Sequence, residues 1–133
     1  MSGVYEAETR GVLVRVDPAY LPEQSNPDAR QYAWSYTVDI VNCGTRTFQL
    51  LSRHWIITDA ANRVEEVIGP GVVGEQPVLR PGESFRYTSG CPLKTSSGVM
   101  RGTYRIEEEG GETFDAVIPA FSLHLPEAVR RVN

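Results

Sequence analysis

Hydrophobic and polar residues alternate with a period of two along most of the chain. Val12, Val14 and Val16 share one side of a segment whose other side is more polar. From Tyr32 to Ile40, the even positions are aromatic or branched apolar residues and the odd positions are small or polar. Such alternation places one face of a strand on a core and the other face nearer water. The pattern therefore predicts β-strands.

Further segments with this period are separated by turn residues. Phe48 to Asp59 and Val64 to Ile68 predict a hairpin, in which Asn62 suits a positive φ. No window predicts an amphipathic helix of three turns. About eight or nine strands at this spacing predict an all-β fold, an antiparallel β-sandwich of the immunoglobulin or fibronectin type III kind, with a closed barrel as the alternative. The predicted core contains Trp34, Val38, Ile40, Ile57, Phe85, Tyr104 and Phe121.

Two local predictions depend on proline and on strand parity. Pro18, Pro22 and Pro27 predict a loop, because proline fixes φ and lacks an N–H donor. Strict alternation after Phe48 places Leu51 on the core face together with Trp55, Ile57 and Arg53, an unusual position for an arginine. The chain shows no repeat or linker, so we expect one domain over residues 1–126 and a flexible tail over residues 127–133.

Composition narrows the functional classes. Thirteen basic and seventeen acidic residues give a net charge of −4, and the basic residues are scattered, which argues against nucleic acid as a partner. No apolar run is long enough to cross a bilayer and no signal peptide is recognisable, so no membrane partner is expected. Cys43 and Cys91 are too few for a disulfide framework. We therefore expect a cytoplasmic protein with two free thiols.

Several segments together resemble the bacterial ApaG proteins. They are LLSRHWIITD (50–59), GVVGEQPVLRPGESFRYTSGCPL (71–93), GTYRI (102–106) and IPAFSL (118–123). Ser96 departs from the proline usual in the family, and Asn62 lacks the glycine that commonly follows it. Both departures affect turns only. The resemblance extends over nearly the whole chain.

The resemblance implies a fibronectin type III-like sandwich and no defined reaction. The family is associated by name with cobalt and magnesium efflux, and its gene often lies beside that of a diadenosine tetraphosphatase. The same domain is known in some eukaryotic F-box proteins and in a polymerase-interacting protein. The absence of a helix after Gly74 and of a cationic phosphate clamp nearby favours a non-enzymatic module that binds another protein.

A G-x-G-x-x-G spacing occurs at Gly69, Gly71 and Gly74. In dinucleotide-binding folds these glycines bring a helix N-terminus to a pyrophosphate. Here Glu75-Gln76-Pro77 continues towards another strand, Glu75 adds a negative charge, and no phosphate-binding lysine follows. Binding of a nucleotide or of a diadenosine polyphosphate through residues 69–74 stays as the alternative function, since backbone amides can hold an anion without a helix.

The side chains that usually carry catalysis or bind metals are sparse. His54 and His124 are isolated, without the spacing of a transition-metal site, and read as strand residues on the wetter face. Cys91 is more typical of a small buried residue than of a nucleophile. The sequence therefore predicts no catalytic residue, no metal site and no cofactor. A weak magnesium site made of carboxylates is left open.

The segment from Gly69 to Gln76 is longer than a simple turn requires. Val72 and Val73 either cap the sandwich or offer an apolar recognition surface. We expect the candidate binding loop at this place, with another protein as the partner and a homo-oligomer left open. Its predicted residues are Gly69, Gly71, Val72, Val73, Gly74, Glu75, Gln76 and Arg53.

Overall fold

The computed structural model describes residues 4–126 as nine β-strands and two single-turn 3₁₀ helices, Pro22–Gln24 and Pro27–Ala29. No helix in this part of the chain is long and apolar enough to span a bilayer. The predicted tail, residues 127–133, lies outside the described residues. The strands are β1 (Tyr5–Thr9), β2 (Val12–Tyr20), β3 (Tyr32–Asn42), β4 (Phe48–Asp59), β5 (Val64–Pro70), β6 (Val78–Leu79), β7 (Ser84–Leu93), β8 (Gly98–Glu108) and β9 (Thr113–Leu123).

The strands form two antiparallel sheets packed face to face. One sheet has the order β1-β2-β3-β7, and the other has the order β5-β4-β8-β9 with β6 beside β4. Every pairing between these strands is antiparallel, both in the hairpins and between strands that are distant in sequence, such as β3 and β7. The predicted all-β sandwich is confirmed, and the barrel alternative is not needed.

Side chains from both inner faces fill a single core. Six of the seven predicted core residues are buried there: Trp34, Val38, Ile40, Ile57, Tyr104 and Phe121. The prediction for Phe85 is wrong, because this ring is only partly buried. Phe85 lies on β7, at the edge of its sheet, where a ring is covered from one side and packs beside Tyr87 with 6.3 Å between ring centroids.

The predicted parity of β4 is also wrong at its start. The pairing of β4 with β8 slips by one residue between Leu50 and Ser52, which is a β-bulge at Leu51. The extra residue moves every earlier side chain to the opposite face. Leu50 is therefore fully buried, whereas Leu51 is only partly covered. Arg53, beyond the bulge, keeps its predicted place on the inner face.

Strand β1 is absent from the sequence prediction, and β2 runs farther than the prolines suggested. β2 continues through Pro18, which lies opposite Tyr36 of β3. Within residues 4–126, no residue pairs with the far side of β2 at Pro18, because the pairing of β1 with β2 covers only Val12 to Val16. A proline is tolerated where its missing N–H would face no partner strand.

The two sheets meet along one side of the sandwich. β1 lies against β9, where the Val117 amide donates to Thr9 Oγ1 at 3.0 Å and the Tyr5 hydroxyl lies 3.2 Å from Ser122 Oγ. On the opposite side, the edge strands are β5 and β7. The five-stranded sheet thus has two different edges. Its β9 edge is covered by β1 of the other sheet, whereas its β5 edge is not covered by β7.

A substitution at Gly102 of β8 tests the close pairing of β8 with β4. A Cβ atom there would lie 2.0 Å from the His54 carbonyl oxygen, so a side chain would force β8 away from β4. We expect Gly102→Ala to lower the free energy of unfolding by about 3 kcal/mol. Gly90→Ala is the matched control, because its Cβ would meet nothing closer than 3.6 Å. Chemical denaturation measures both, and equal stability of the two variants would contradict the assigned pairing.

Candidate functional site

The predicted binding loop leaves β5 and returns to β4 through β6. Both strands pair with the same edge of β4, on either side of the bulge. The carbonyl oxygen of Leu51 accepts bonds from the Gly71 amide and from Gln76 Nε2, each at 2.8 Å. The loop therefore closes over the bulge and satisfies the backbone group that the bulge leaves unpaired.

The tip of the loop is a two-residue turn. Val72 and Glu75 exchange two backbone hydrogen bonds of 2.8 and 2.9 Å. The central residues, Val73 and Gly74, have φ values of 43° and 82°. Two consecutive positive φ values identify a type I′ turn. Glycine suits this conformation, but a β-branched valine is strained in it.

Arg53 lies beneath the loop and fixes its course. Its Nη1 donates to the carbonyl oxygens of Pro70 at 2.9 Å and of Gly71 at 3.0 Å. Gly69 lies opposite Arg53 in β5, and a Cβ there would approach both terminal guanidinium nitrogens to 3.1 Å. The absence of a side chain at Gly69 therefore makes room for the guanidinium.

Arg53 also borders a buried group of tyrosines. It lies opposite Tyr104 of β8, whose hydroxyl is hydrogen-bonded to that of Tyr87. Burial raises the pKa of both hydroxyls above the ordinary value of 10.0, and the charge of Arg53 partly opposes this rise. The hydroxyls therefore remain protonated at neutral pH and act as hydrogen-bonding groups within the core.

The glycine spacing serves packing at each position. A Cβ on Gly71 would lie 2.3 Å from the Glu75 carbonyl oxygen, and Gly74 completes the turn. The amides of Gly71, Val72 and Glu75 all donate to backbone carbonyls. These amides are not free to surround a phosphate, so the geometry gives little support to nucleotide binding by residues 69–74.

The two valines of the loop have different environments. Val72 is fully buried and belongs to the core, whereas Val73 is 55% exposed. The capping interpretation therefore applies to Val72, while Val73 has the exposure that the recognition interpretation requires, and its recognition role stays a prediction. Of the predicted site residues, Val73, Gly74, Glu75 and Gln76 face solvent, while Arg53, Gly69, Gly71 and Val72 support them from below.

Three exposed apolar residues beside the loop were missed from the sequence. Seven large apolar side chains are exposed within residues 4–126, and four lie on the edge formed by β5, the loop and β6: Val64, Ile68, Val73 and Val78. Ile68 is 72% exposed. The hairpin register could have identified it, because Ile68 lies opposite His54, which strand alternation had placed on the wetter face. We call these residues the β5–β6 edge.

The remaining candidates are dispersed. His54 is partly exposed, with Nε2 3.2 Å from Glu66 Oε1, and His124 is exposed, with Nδ1 3.0 Å from Ser122 Oγ. Cys43 is exposed and Cys91 is buried, and both are free thiols. Across residues 4–126, no group of three His, Cys, Asp or Glu side chains could hold a metal ion.

A cleft of about 540 Å³ opens between the sheets at the start of β5. Tyr32, Ile57 and Leu93 contribute apolar surface, and Arg63 and Lys94 contribute positive charge. Arg63 is already paired with Asp59 at 2.7 Å, so part of that charge is neutralised. The cleft contains none of the site residues predicted from the sequence.

Single substitutions can separate the two valines. We expect Val72→Ala to lower the free energy of unfolding by about 2 kcal/mol, through lost burial and an incompletely filled space. Val73→Gly should preserve or increase stability by up to about 1 kcal/mol, because it relieves the positive φ. Thermal and urea denaturation of the two variants provide the measurement. Equal destabilisation by both would show that the turn is assigned wrongly.

Alkaline pH should destabilise the fold. Burial raises the pKa of the Cys91 thiol from 9.0 to about 11. Between these values the unfolded chain loses the proton while the folded chain keeps it, so the free energy of unfolding falls as pH rises. Tyr87 and Tyr104 extend this fall to higher pH for the same reason. Urea titrations across this range measure it, and Cys91→Ala should weaken the dependence just above pH 9. A flat profile would contradict the burial of these groups.

Comparison with known proteins agrees with this architecture. The sequence pattern of the ApaG domain matches residues 22–108. The chain is 58% identical to protein ApaG of Paramagnetospirillum magneticum over 98% of its own length and all of the relative, and 55% identical to that of Caulobacter vibrioides over 99% and 94%. It superposes on the crystal structure of the putative ApaA protein from Bordetella pertussis with a TM-score of 0.84 and 52% identity, over 92% of this chain and 96% of the other. The chain therefore belongs to the ApaG domain family.

Proposed function

We propose that this chain is a cytoplasmic, non-enzymatic module that binds another protein through the β5–β6 edge. The observation that carries the proposal is the concentration of exposed apolar side chains there, four of the seven within residues 4–126. Scattered apolar residues need no explanation, but a group on one edge beside polar side chains is typical of a recognition surface.

The loop is suited to present such a surface. Arg53 holds the carbonyls of Pro70 and Gly71, and buried Val72 anchors the turn. Val73 is therefore displayed on a rigid support, which reduces the entropy lost on binding. The strain at Val73 also supports a functional role, since strained residues tend to occur at binding sites.

The side-chain chemistry supports a role without catalysis. The buried Cys91 has a raised pKa and is a poor nucleophile at neutral pH. His54 is paired with Glu66, while the hydrogen bond of His124 is to Ser122. The His54 contact involves no nucleophile, and the contact between His124 and the Ser122 hydroxyl is exposed to solvent instead of lying in an enclosed pocket. The family association with cobalt and magnesium efflux remains a prediction.

Site-specific photo-crosslinking tests the proposal. A benzophenone amino acid replaces Ile68, Val73 or Val78, one at a time, in the protein expressed in its native cells. The control position is Val117, which is exposed on β9 away from this edge. We expect the three edge positions to crosslink to the same polypeptide and the control not to. Crosslinks that are absent from the edge, or identical at Val117, would reject this surface as the working site.

A further inference from the structure

The backbone of β5 has hydrogen-bonding groups that face away from the sheet. The Asp59 amide donates to the Arg63 carbonyl at one end of the β4–β5 pairing, and the Gly71 amide donates to the Leu51 carbonyl at the other. Hydrogen-bonded and non-hydrogen-bonded pairs alternate along an antiparallel ladder. The register therefore directs the backbone N–H and C=O groups of Glu65, Val67 and Gly69 towards β4. Those of Val64, Glu66 and Ile68 point outward, and no strand within residues 4–126 pairs with that side of β5.

This edge lacks most of the usual protection against strand pairing. Natural edge strands are blocked by charged side chains, most often lysine, by proline, by bulges or by a covering element. Of these, the central part of β5 has only two carboxylates, Glu65 and Glu66. β7, the edge of the other sheet on this side, exposes Arg86 and Pro92. In β5 the two most exposed apolar residues, Val64 and Ile68, flank the outward amide of Glu66, and proline appears only at its last position, Pro70. Five consecutive residues are thus available for pairing.

Charge determines what kind of strand fits. From Val64 to Leu79 the chain has three carboxylates, Glu65, Glu66 and Glu75, and no lysine or arginine. A second copy of this chain would bring its own carboxylates to the same edge, and each copy carries a net charge of −4. Like charges across neighbouring strands are destabilising and opposite charges are stabilising. The complementary strand is therefore basic and apolar.

We propose that β5 binds an extended basic and apolar segment of a partner protein, which adds to the five-stranded sheet as a further strand. Its backbone bonds to Val64, Glu66 and Ile68. Apolar side chains of the segment lie beside Ile68, Val67 and Val64, and two basic side chains lie beside Glu66 and Glu65. Such strand addition takes affinity from the main chain and specificity from alternating side chains. The inference rests on the proposed function and specifies its binding mode.

A designed peptide, SIVKKVS with blocked ends, is the direct probe, and SIVEEVS is its acidic control. The basic peptide is titrated into ¹⁵N-labelled full-length protein, and amide hydrogen exchange is measured at saturation. We expect exchange to slow by about tenfold or more at Val64, Glu66 and Ile68, whose amides gain acceptors. Exchange at Glu65, Val67 and Gly69 should change little, because these amides already bond to β4. Only a paired strand produces this alternation.

Variants at Ile68 separate the backbone contribution from the side-chain contribution. Ile68→Pro removes the outward N–H without removing a donor to β4, so the fold should persist while peptide binding is lost. Ile68→Thr is the matched control, because it removes apolar surface but retains the N–H. We expect the threonine variant to keep most of the peptide affinity. Equal affinity of both variants for the peptide would overturn strand addition.

Charge reversal tests the choice of partner. Glu66→Lys should weaken binding of the basic peptide by about tenfold and favour the acidic one. Glu8→Lys changes the net charge equally from an exposed position on β1, on the opposite side of the sandwich, and should leave both affinities unchanged within about twofold. If both substitutions act alike, the local charge complementarity is rejected.

The outcomes distinguish this inference from the proposed function. If the peptide causes saturable changes in amide chemical shifts but does not slow hydrogen exchange at the outward amides, strand addition is overturned. Side-chain docking at the β5–β6 edge would then remain intact. Protection that rises with protein concentration alone, with a doubled mass, identifies a second copy as the occupant and overturns the basic partner. Absence of any saturable shift also overturns strand addition. The photo-crosslinking experiment decides the proposed function independently, because it uses the natural partner and no peptide.

Discussion

The bulge at Leu51 is the constraint on which the rest of this molecule depends. Strand β4 pairs with β8 on one side and with both β5 and β6 on the other. One extra residue lets Leu50 and Trp55 both face the core although their numbers differ by five. It also interrupts the edge ladder, so the chain between β5 and β6 must bridge the gap. The glycine-rich loop is that bridge, and Arg53 fixes it to the sheet.

The loop shows how a motif associated with ligands can serve packing instead. In a phosphate-binding loop, glycines expose amide groups to an anion at a helix N-terminus. Here Gly69 admits the Arg53 guanidinium and Gly71 admits the Glu75 backbone. The Gly71 amide donates to Leu51 of β4, and the amides of Val72 and Glu75 donate within the loop. A cation whose donors are directed at the loop's own carbonyls stabilises the loop instead of recruiting a phosphate. The surface that results is apolar and acidic, which suits a polypeptide partner.

The asymmetry between the two sides of the sandwich places this surface. Along one side, β1 lies against β9, and the Val117 amide donates to Thr9 Oγ1 while the Tyr5 hydroxyl is hydrogen-bonded to Ser122 Oγ, so the sheets are joined. Along the other side, β5 and β7 remain separate edges. Both strands therefore have backbone N–H and C=O groups on one side that could pair with another chain. β7 does so with Arg86 and Pro92, whereas β5 combines exposed apolar residues with two carboxylates. The β5 edge is accordingly the one at which we propose a partner strand.

The sequence by itself determined the all-β sandwich, most strand positions and most of the core. Residues such as Val38 and Ile40 repeat every second position, and a period of two fixes strands and their buried faces. The positive φ of Asn62 also followed from local turn chemistry. These features are local, so a single stretch of sequence contains them. The placement of the candidate loop also came from sequence, but only half of its residues proved to be exposed.

Only the tertiary structure decided the features that depend on pairing between distant segments. The bulge at Leu51 arises because β4 must match a strand that is distant in sequence, β8, in which Ile106 pairs with Leu50 and Arg105 pairs with Ser52. The burial of Val72, the exposure of Val73 and the role of Arg53 follow from how the loop crosses that bulge. Pro18 lies in a strand opposite Tyr36 of β3, and no residue within 4–126 pairs with its other side. Phe85 is partly exposed because β7 is an edge. Edges and registers are properties of the assembled sheet, so no local pattern specifies them.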